Sequence, residues 1–363
     1  MRDTMTNNRE IKYASAVREA IDICMKKYPS IFIIGPSVPD PKGVFGTTLK
    51  LVDKYGPERV LDMPLSENGI TGVCIGAALA GMRPIMVHQR IDFALLAMDE
   101  IINNAAKWHY MFGGKSKVPM VIRLIIGRGW GQGAQHSQNL QALFAHIPGL
   151  KVVMPATPYD VKGLLISSIE DNNPVIFIEH RWLYNITGYV PKKMYRVPIG
   201  KAKIVRKGED VTIAATSYMT VESIKASKIL EKIGVNPEII DIRTIKPLDD
   251  SLIIKSVKKT GKLLVVDSGW TTGGIAAEVI SRVVEKAFDY LEYPPQRICL
   301  PDIPTPTSNA LTKHFYPGHV DIIKKVLKML NKKGKYVDNI LRLEQKPRQV
   351  PLDVPDLSFT GPF

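Results

Sequence analysis

Short apolar runs, many of them β-branched, recur along the first half of the chain: SIFIIG, RVLDMP, RPIMVH, PMVIRLII, LKVVMPA and PVIFIE. Runs that lack a polar face read as strands buried on both sides of a sheet. Between them, apolar positions return at helical spacing over residues 14–27, 69–81, 93–110, 138–146 and 158–170. Such alternation predicts a parallel sheet with helices on both faces. The pattern pauses at NITGYVPKKMYRVPIGKA, which is rich in Gly, Pro and Lys and reads as a linker over residues 189–203. It resumes with VTIAAT, EIIDIRT, KLLVVDSG and RICLPD as strands, and residues 221–233, 251–259, 274–287 and 320–330 as helices. The expected organisation is an α/β domain over residues 1–188, the linker, and a smaller α/β domain over residues 204–330. A tail over residues 331–363 begins with the basic NKKGKY and turns proline-rich. Its extended form and its Phe359 and Phe363 suit a groove at a subunit interface.

Composition narrows the class. A chain of 363 residues that is 45% hydrophobic can bury two cores. No apolar run approaches the ~20 residues of a membrane-spanning helix, and MRDTMTNNRE has no apolar signal core. Cys24, Cys74 and Cys299 are odd in number and lie far apart, without metal-ligand spacing, so a reducing cytoplasm is expected. The net charge of +14, from 49 Lys+Arg against 35 Asp+Glu, favours anionic partners. No helix-turn-helix, zinc-finger or RNA-recognition pattern accompanies it, so the lysines read as a solvated basic surface and no nucleic-acid partner is expected.

Three segments hold candidate chemistry. In PLSENGI, Glu67 ends an apolar stretch where a buried strand gives way to a Gly-rich helix, the edge of an open sheet where ligands bind. A carboxyl group there can share a proton with a ligand nitrogen, or it can simply favour the helix dipole with Ser66 as the cap. In IGRGWGQGAQHSQ, residues 129–134 fit G-x-G-x-x-A, but the next strand lacks the acidic residue a dinucleotide site needs. A Gly-rich loop that carries His136 to a cleft fits better. Third, Phe93 follows the strand RPIMVH and can stack on a flat ring or fill the core.

These three sites, in this order, resemble the β subunit of the 2-oxo acid dehydrogenase E1 component, as found in pyruvate, branched-chain and acetoin dehydrogenases. PLSENGITGVCIGAALAGMRPI, DEIINNAAKWHYMFGG, GQGAQHSQNLQALFAHIPGLKVVMPATPYDVKGLL, SSIEDNNPVIFIEHRWLY and DSGWTTGGIAAEVISRV carry the resemblance, which runs from about residue 13 to 330. It implies a pyrimidine-binding domain, a transketolase C-terminal-like domain, and an α2β2 assembly with a β–β contact. Thiamine diphosphate would lie between the chains, with Mg²⁺ and the diphosphate held by an α-type partner whose GDG motif is missing here. Glu67 would meet the pyrimidine N1′ and promote formation of the C2 ylid that attacks a substrate carbonyl. Leu65 and Phe93 would flank the same ring, and His136 would handle the intermediate and its acyl transfer. Ser168, Asp171 and Asn173 fall in a loop that holds a monovalent cation in some relatives, and a plain helix-end turn is the other reading.

Two features depart from the family pattern. His88-Gln89-Arg90 stands where relatives often carry an acidic or aromatic approach, which offers Arg90 to a substrate carboxylate or phosphate. The basic charge would also weaken docking of a basic lipoyl acyltransferase (E2) domain. The expected function is therefore an E1 β subunit that decarboxylates or cleaves a 2-oxo acid or acetoin-like substrate. The alternatives are a heteromeric transketolase-like enzyme without a lipoyl partner and a silent scaffold subunit.

Overall fold

Strands apolar on both faces need cover on both sides, and the chain supplies it in βα order. The computed structural model describes residues 9–128, 132–312 and 314–334, together with residues 342, 354 and 355. Most of the proline-rich tail, with Phe359 and Phe363, and residues 129–131 of the Gly-rich loop therefore lie outside the described residues.

The first half contains β1 (Glu10–Lys12), α1 (Tyr13–Lys27), β2 (Ile31–Ile34), α2 (Leu51–Tyr55), β3 (Val60–Leu61), α3 (Glu67–Leu79) and β4 (Arg83–His88). A 3-10 turn (Ile91–Ala97), a π-helical segment (Glu100–Ala105) and α4 (Ala106–Met111) follow. Then come β5 (Val121–Ile126), α5 (Gln141–His146), β6 (Lys151–Val153), α6 (Pro158–Glu170), β7 (Val175–His180) and β8 (Thr187–Tyr189). The second half contains β9 (Lys203–Arg206), β10 (Val211–Ala215), α7 (Ser217–Glu231), β11 (Pro237–Asp241), β12 (Thr244–Lys246), α8 (Asp250–Thr260), β13 (Leu263–Trp270), α9 (Ile275–Ala287), β14 (Gln296–Leu300), α10 (Asn309–Thr312) and α11 (His319–Met329).

The first sheet runs β12-β6-β7-β5-β4-β2-β3 and is parallel except for β12. The second runs β14-β13-β10-β11-β9 and is parallel except for β9. A two-stranded ribbon pairs β1 with β8. Thus β12, although it follows β11 of the second sheet, crosses to edge the first one and joins the two domains through backbone hydrogen bonds.

Alternate strand residues feed two apolar layers that each run across both sheets. Ile31, Ile85, Val121 and Phe177 of the first sheet pack with Val211 and Ile213 of the second, under α1, α6, α7 and α11. Met86, Ile122 and Ile178 pack with Ile240 and Val265, under α3, α8 and α9. The helix ends follow local chemistry. Thr157 accepts a hydrogen bond from the backbone N–H of Asp160, and Pro158 opens α6. At the end of α3, Gly81 (φ 96°) adopts the left-handed turn, with Met82 N–H bonded to Ala77 O and Gly81 N–H to Ala78 O.

Candidate cofactor half-site

The turn from β3 to α3 places Glu67 at the first position of the helix, not before it as the pattern suggested. Ser66 precedes it but makes no side-chain capping bond. The Glu67 side chain is buried, at 6% exposure, and among the described residues its carboxylate meets no hydrogen-bond donor. Leu65, two residues earlier, is 83% exposed.

The 3-10 turn packs against α3 and carries Phe93. The ring of Phe93 meets His136 edge-on at 5.3 Å between centroids, so the loop after β5 brings His136 to the same place. His136 is itself exposed. Asp92, next to Phe93, anchors that loop: its Oδ1 accepts from Gln138 Nε2 at 2.9 Å. Burial pushes the Asp92 carboxyl above its ordinary range, and the Gln138 bonds partly offset this.

Arg90 is 3% exposed, not at the surface. Its guanidinium donates to Gly127 O at 3.0 Å and to Gln132 Oε1, and it faces the Phe45 ring at 5.6 Å. Burial lowers its pKa to about 10. Arg90 therefore holds the His136 loop directly, a function its charge alone did not announce. His180 packs under the start of the same loop. Burial keeps it neutral, with its pKa lowered to about 3, and a Cβ on Gly127 would lie 2.6 Å from its ring.

The segment around Ser168, Asp171 and Asn173 is separate from this cluster. Ser168 Oγ donates to Leu164 O at 2.7 Å, and Asp171 accepts from Asn173 N and pairs with Lys151. The carbonyls of Ile169 and Asp171 accept from Arg83 at 3.0 and 2.9 Å. A fixed guanidinium thus stands among the oxygens a cation would use, which favours the helix-end reading. Asp267 ties the halves together, accepting from Thr216 Oγ1 at 2.5 Å and from Gln141 Nε2 at 3.1 Å. A cavity of about 880 Å³ opens between α5, β12 and the start of α9, lined by Leu140, Leu143, Pro247 and Trp270. Glu67, Phe93 and His136 do not line it.

Two α/β domains with an acid at a strand–helix turn, an aromatic and a loop histidine define a transketolase-like chain of the pyrimidine-binding kind. The family models agree: the transketolase pyrimidine-binding domain matches residues 9–187 and the transketolase C-terminal domain residues 200–322. The chain is 43% identical over 338 residues to the acetoin:2,6-dichlorophenolindophenol oxidoreductase subunit beta of Cupriavidus necator, covering 90% of this chain and 99% of that one. It is 41% identical over 320 residues to the pyruvate dehydrogenase E1 component subunit beta of Rickettsia felis, covering 88% and 98%. Among solved structures, a split gene transketolase described as an inactive beta4 tetramer superposes with a TM-score of 0.71 at 23% identity, covering 89% of this chain and all of that one, and shows the fold alone. The chain belongs to the family of β subunits of thiamine-diphosphate-dependent 2-oxo acid and acetoin dehydrogenases.

Proposed function

We propose that Glu67, Leu65, Phe93 and His136 form the pyrimidine-side half of a thiamine diphosphate site, and that an α-type chain supplies the other half with Mg²⁺ and the diphosphate contacts. The observations that carry this reading are Glu67, 6% exposed at the start of α3 with no side-chain hydrogen bond among the described residues, and the Phe93–His136 ring pair on the 3-10 turn that packs against α3. Thiamine diphosphate, when bound, supplies an acidic ring carbon and an electron sink for cleavage next to a carbonyl. Glu67 holds or shares a proton at the pyrimidine nitrogen. Phe93 offers its ring and Leu65 its apolar side chain to the pyrimidine, so water is kept from it. His136, on an exposed loop, is placed to hold or deliver a proton at a substrate oxygen.

The substrate class is a 2-oxo acid or an acetoin-like hydroxyketone. Exposed apolar side chains support an α-type partner: Val73 on α3 and Tyr110, Met111 and Phe112 at α4 are all at least half exposed, and side chains of that kind mark interaction surfaces. The proposed assembly is α2β2 with a β–β contact. Three unpaired cysteines suit a reducing cytoplasm. Among the described residues no helix is long and apolar enough to cross a membrane.

The test is reconstitution with the α-type chain and a panel of 2-oxo acids and acetoin, read with an artificial electron acceptor. Turnover that requires both chains is expected. A complex that binds thiamine diphosphate yet turns over none of these substrates would contradict the reading.

A further inference from the structure

His136 makes no side-chain hydrogen bond among the described residues, and its ring meets the Phe93 ring edge-on. Its position must come from the backbone that carries it. The first domain holds that backbone through Arg90 to Gly127 O, Trp182 Nε1 to Arg128 O at 2.7 Å, and Asp92 to Gln138. The second domain holds it too. Arg128, fully buried, reaches across to donate to Pro306 O at 2.7 Å and to Thr307 O, with Asn309 Oδ1 at 3.4 Å. Thr305 Oγ1 donates to Ser137 O at 3.4 Å.

Thr307 also lies directly on the loop. A Cβ added to Gly133 would sit 2.1 Å from Thr307 Oγ1, and Gly133 O accepts the backbone N–H of His136 at 3.2 Å. The segment that provides these contacts is braced within its own domain: Trp270 Nε1 donates to Ile303 O at 3.1 Å, and Thr272 Oγ1 to Asp302 at 2.6 Å. An unbroken path of contacts therefore runs from β13 through residues 302–309 to the Gly133–His136 turn.

We propose that Arg128, with Thr305, is a positioning residue for His136: the second domain, which among the described residues places no side chain in the proposed half-site, clasps the loop and sets where the imidazole stands. This rests on the reading of His136 given above. A charge-assisted bond in a buried site is strong and directional, and a shift of about 1 Å in a reacting group costs roughly a hundredfold in rate. The clasp acts on the steps that use His136 and leaves the Glu67 side of the cofactor unaffected.

A double-mutant cycle in the reconstituted α–β complex tests this. Arg128→Met and Thr305→Val should each lower kcat, Arg128→Met by about tenfold or more, while affinity for thiamine diphosphate stays within about twofold. In a His136→Ala background, Arg128→Met should cost almost nothing further, because the group it positions is gone. Losses that multiply across the cycle overturn the proposal. A His136→Ala enzyme with full activity overturns instead the reading beneath it, and the clasp falls with it. A second pair guards against simple misfolding: Gly133→Ala should impair turnover, and adding Thr307→Gly, which removes the clashing oxygen, should restore most of it. Failure of that rescue, with both proteins folded, also counts against the clasp.

Discussion

In the proposed half-site Glu67, 6% exposed and with no side-chain hydrogen bond among the described residues, is the group that exchanges the proton. Glu67→Gln keeps the shape and removes the proton exchange. Turnover of the reconstituted complex should fall by about 10²–10⁴-fold, the span of general acid–base catalysis, with the melting temperature preserved. An unchanged kcat would remove Glu67 from the mechanism. A different acid governs pH behaviour. Burial, and next the nearby Asp160, push the Asp241 carboxyl up to about 8. Arg243 stands between the two acids, bonded to Asp160 at 2.9 Å. One Asp241 oxygen has no partner, as suits a group that keeps its proton. The unfolded chain releases that proton near pH ~4. Between there and about 8 the folded state binds the extra proton, so this group's contribution to stability is lost as pH rises. Asp241→Asn carries no such proton. Urea unfolding from pH 5 to 8 should show the wild type losing stability relative to Asp241→Asn, with a slope of at most ~1.4 kcal/mol per pH unit. A pH-independent difference would contradict the assignment.

Among the elements, the glycine that opens the His136 loop is under the tightest constraint. Gly127 has φ 88° and faces the His180 ring. Gly127→Ala should destabilise the protein by on the order of 1–3 kcal/mol, read as a lower unfolding midpoint, and a neutral result would mean the loop packs otherwise. Its place after a strand was readable from IGRGWGQG, but its closeness to His180, 53 positions away, was not. Ten strands could be read from apolar runs because most of their residues are buried and apolar. The short β1, β8, β9 and β12 could not, since EIK, TGY, KIVR and TIK lie in no uninterrupted apolar run. β12 in particular is fixed by pairing with β6 across the domain boundary. Residues 93–110, expected as one helix, form a 3-10 turn, a π-helical segment and α4. Apolar spacing reports the buried face but not the hydrogen-bond register, which changes after the 3-10 turn that carries Phe93. The expected helix over 138–146 begins only at Gln141 because Gln138 is bonded to Asp92. Glu67, Phe93 and His136 were singled out by their order and the family resemblance, and the structure brings the rings of Phe93 and His136 together. The supports in Arg90, Asp92, Arg128 and Thr305 were not, because each is defined by a partner distant in sequence.

On the scale of the molecule, the chain leaves large apolar side chains uncovered beside the proposed half-site's helix α3 and at α4. Val73, 59% exposed on α3, contributes to that surface. Val73→Asp should change the chain's own stability by no more than about 0.5 kcal/mol and weaken association with the α-type chain at least tenfold or so, because a charge would be desolvated at the contact. Equal association in sedimentation would move the interface elsewhere. The two domains are bound by β12, by Asp267 with Gln141, and by Arg128, so they hold the half-site as one frame.

Titration calorimetry of thiamine diphosphate with Mg²⁺, on this chain alone and mixed with the α-type chain, decides whether the site is shared. Tight binding should appear only in the mixture and be lost with Glu67→Ala. Equally tight binding by this chain alone, or a mixture indifferent to Glu67→Ala, would show that the site is not divided in this way.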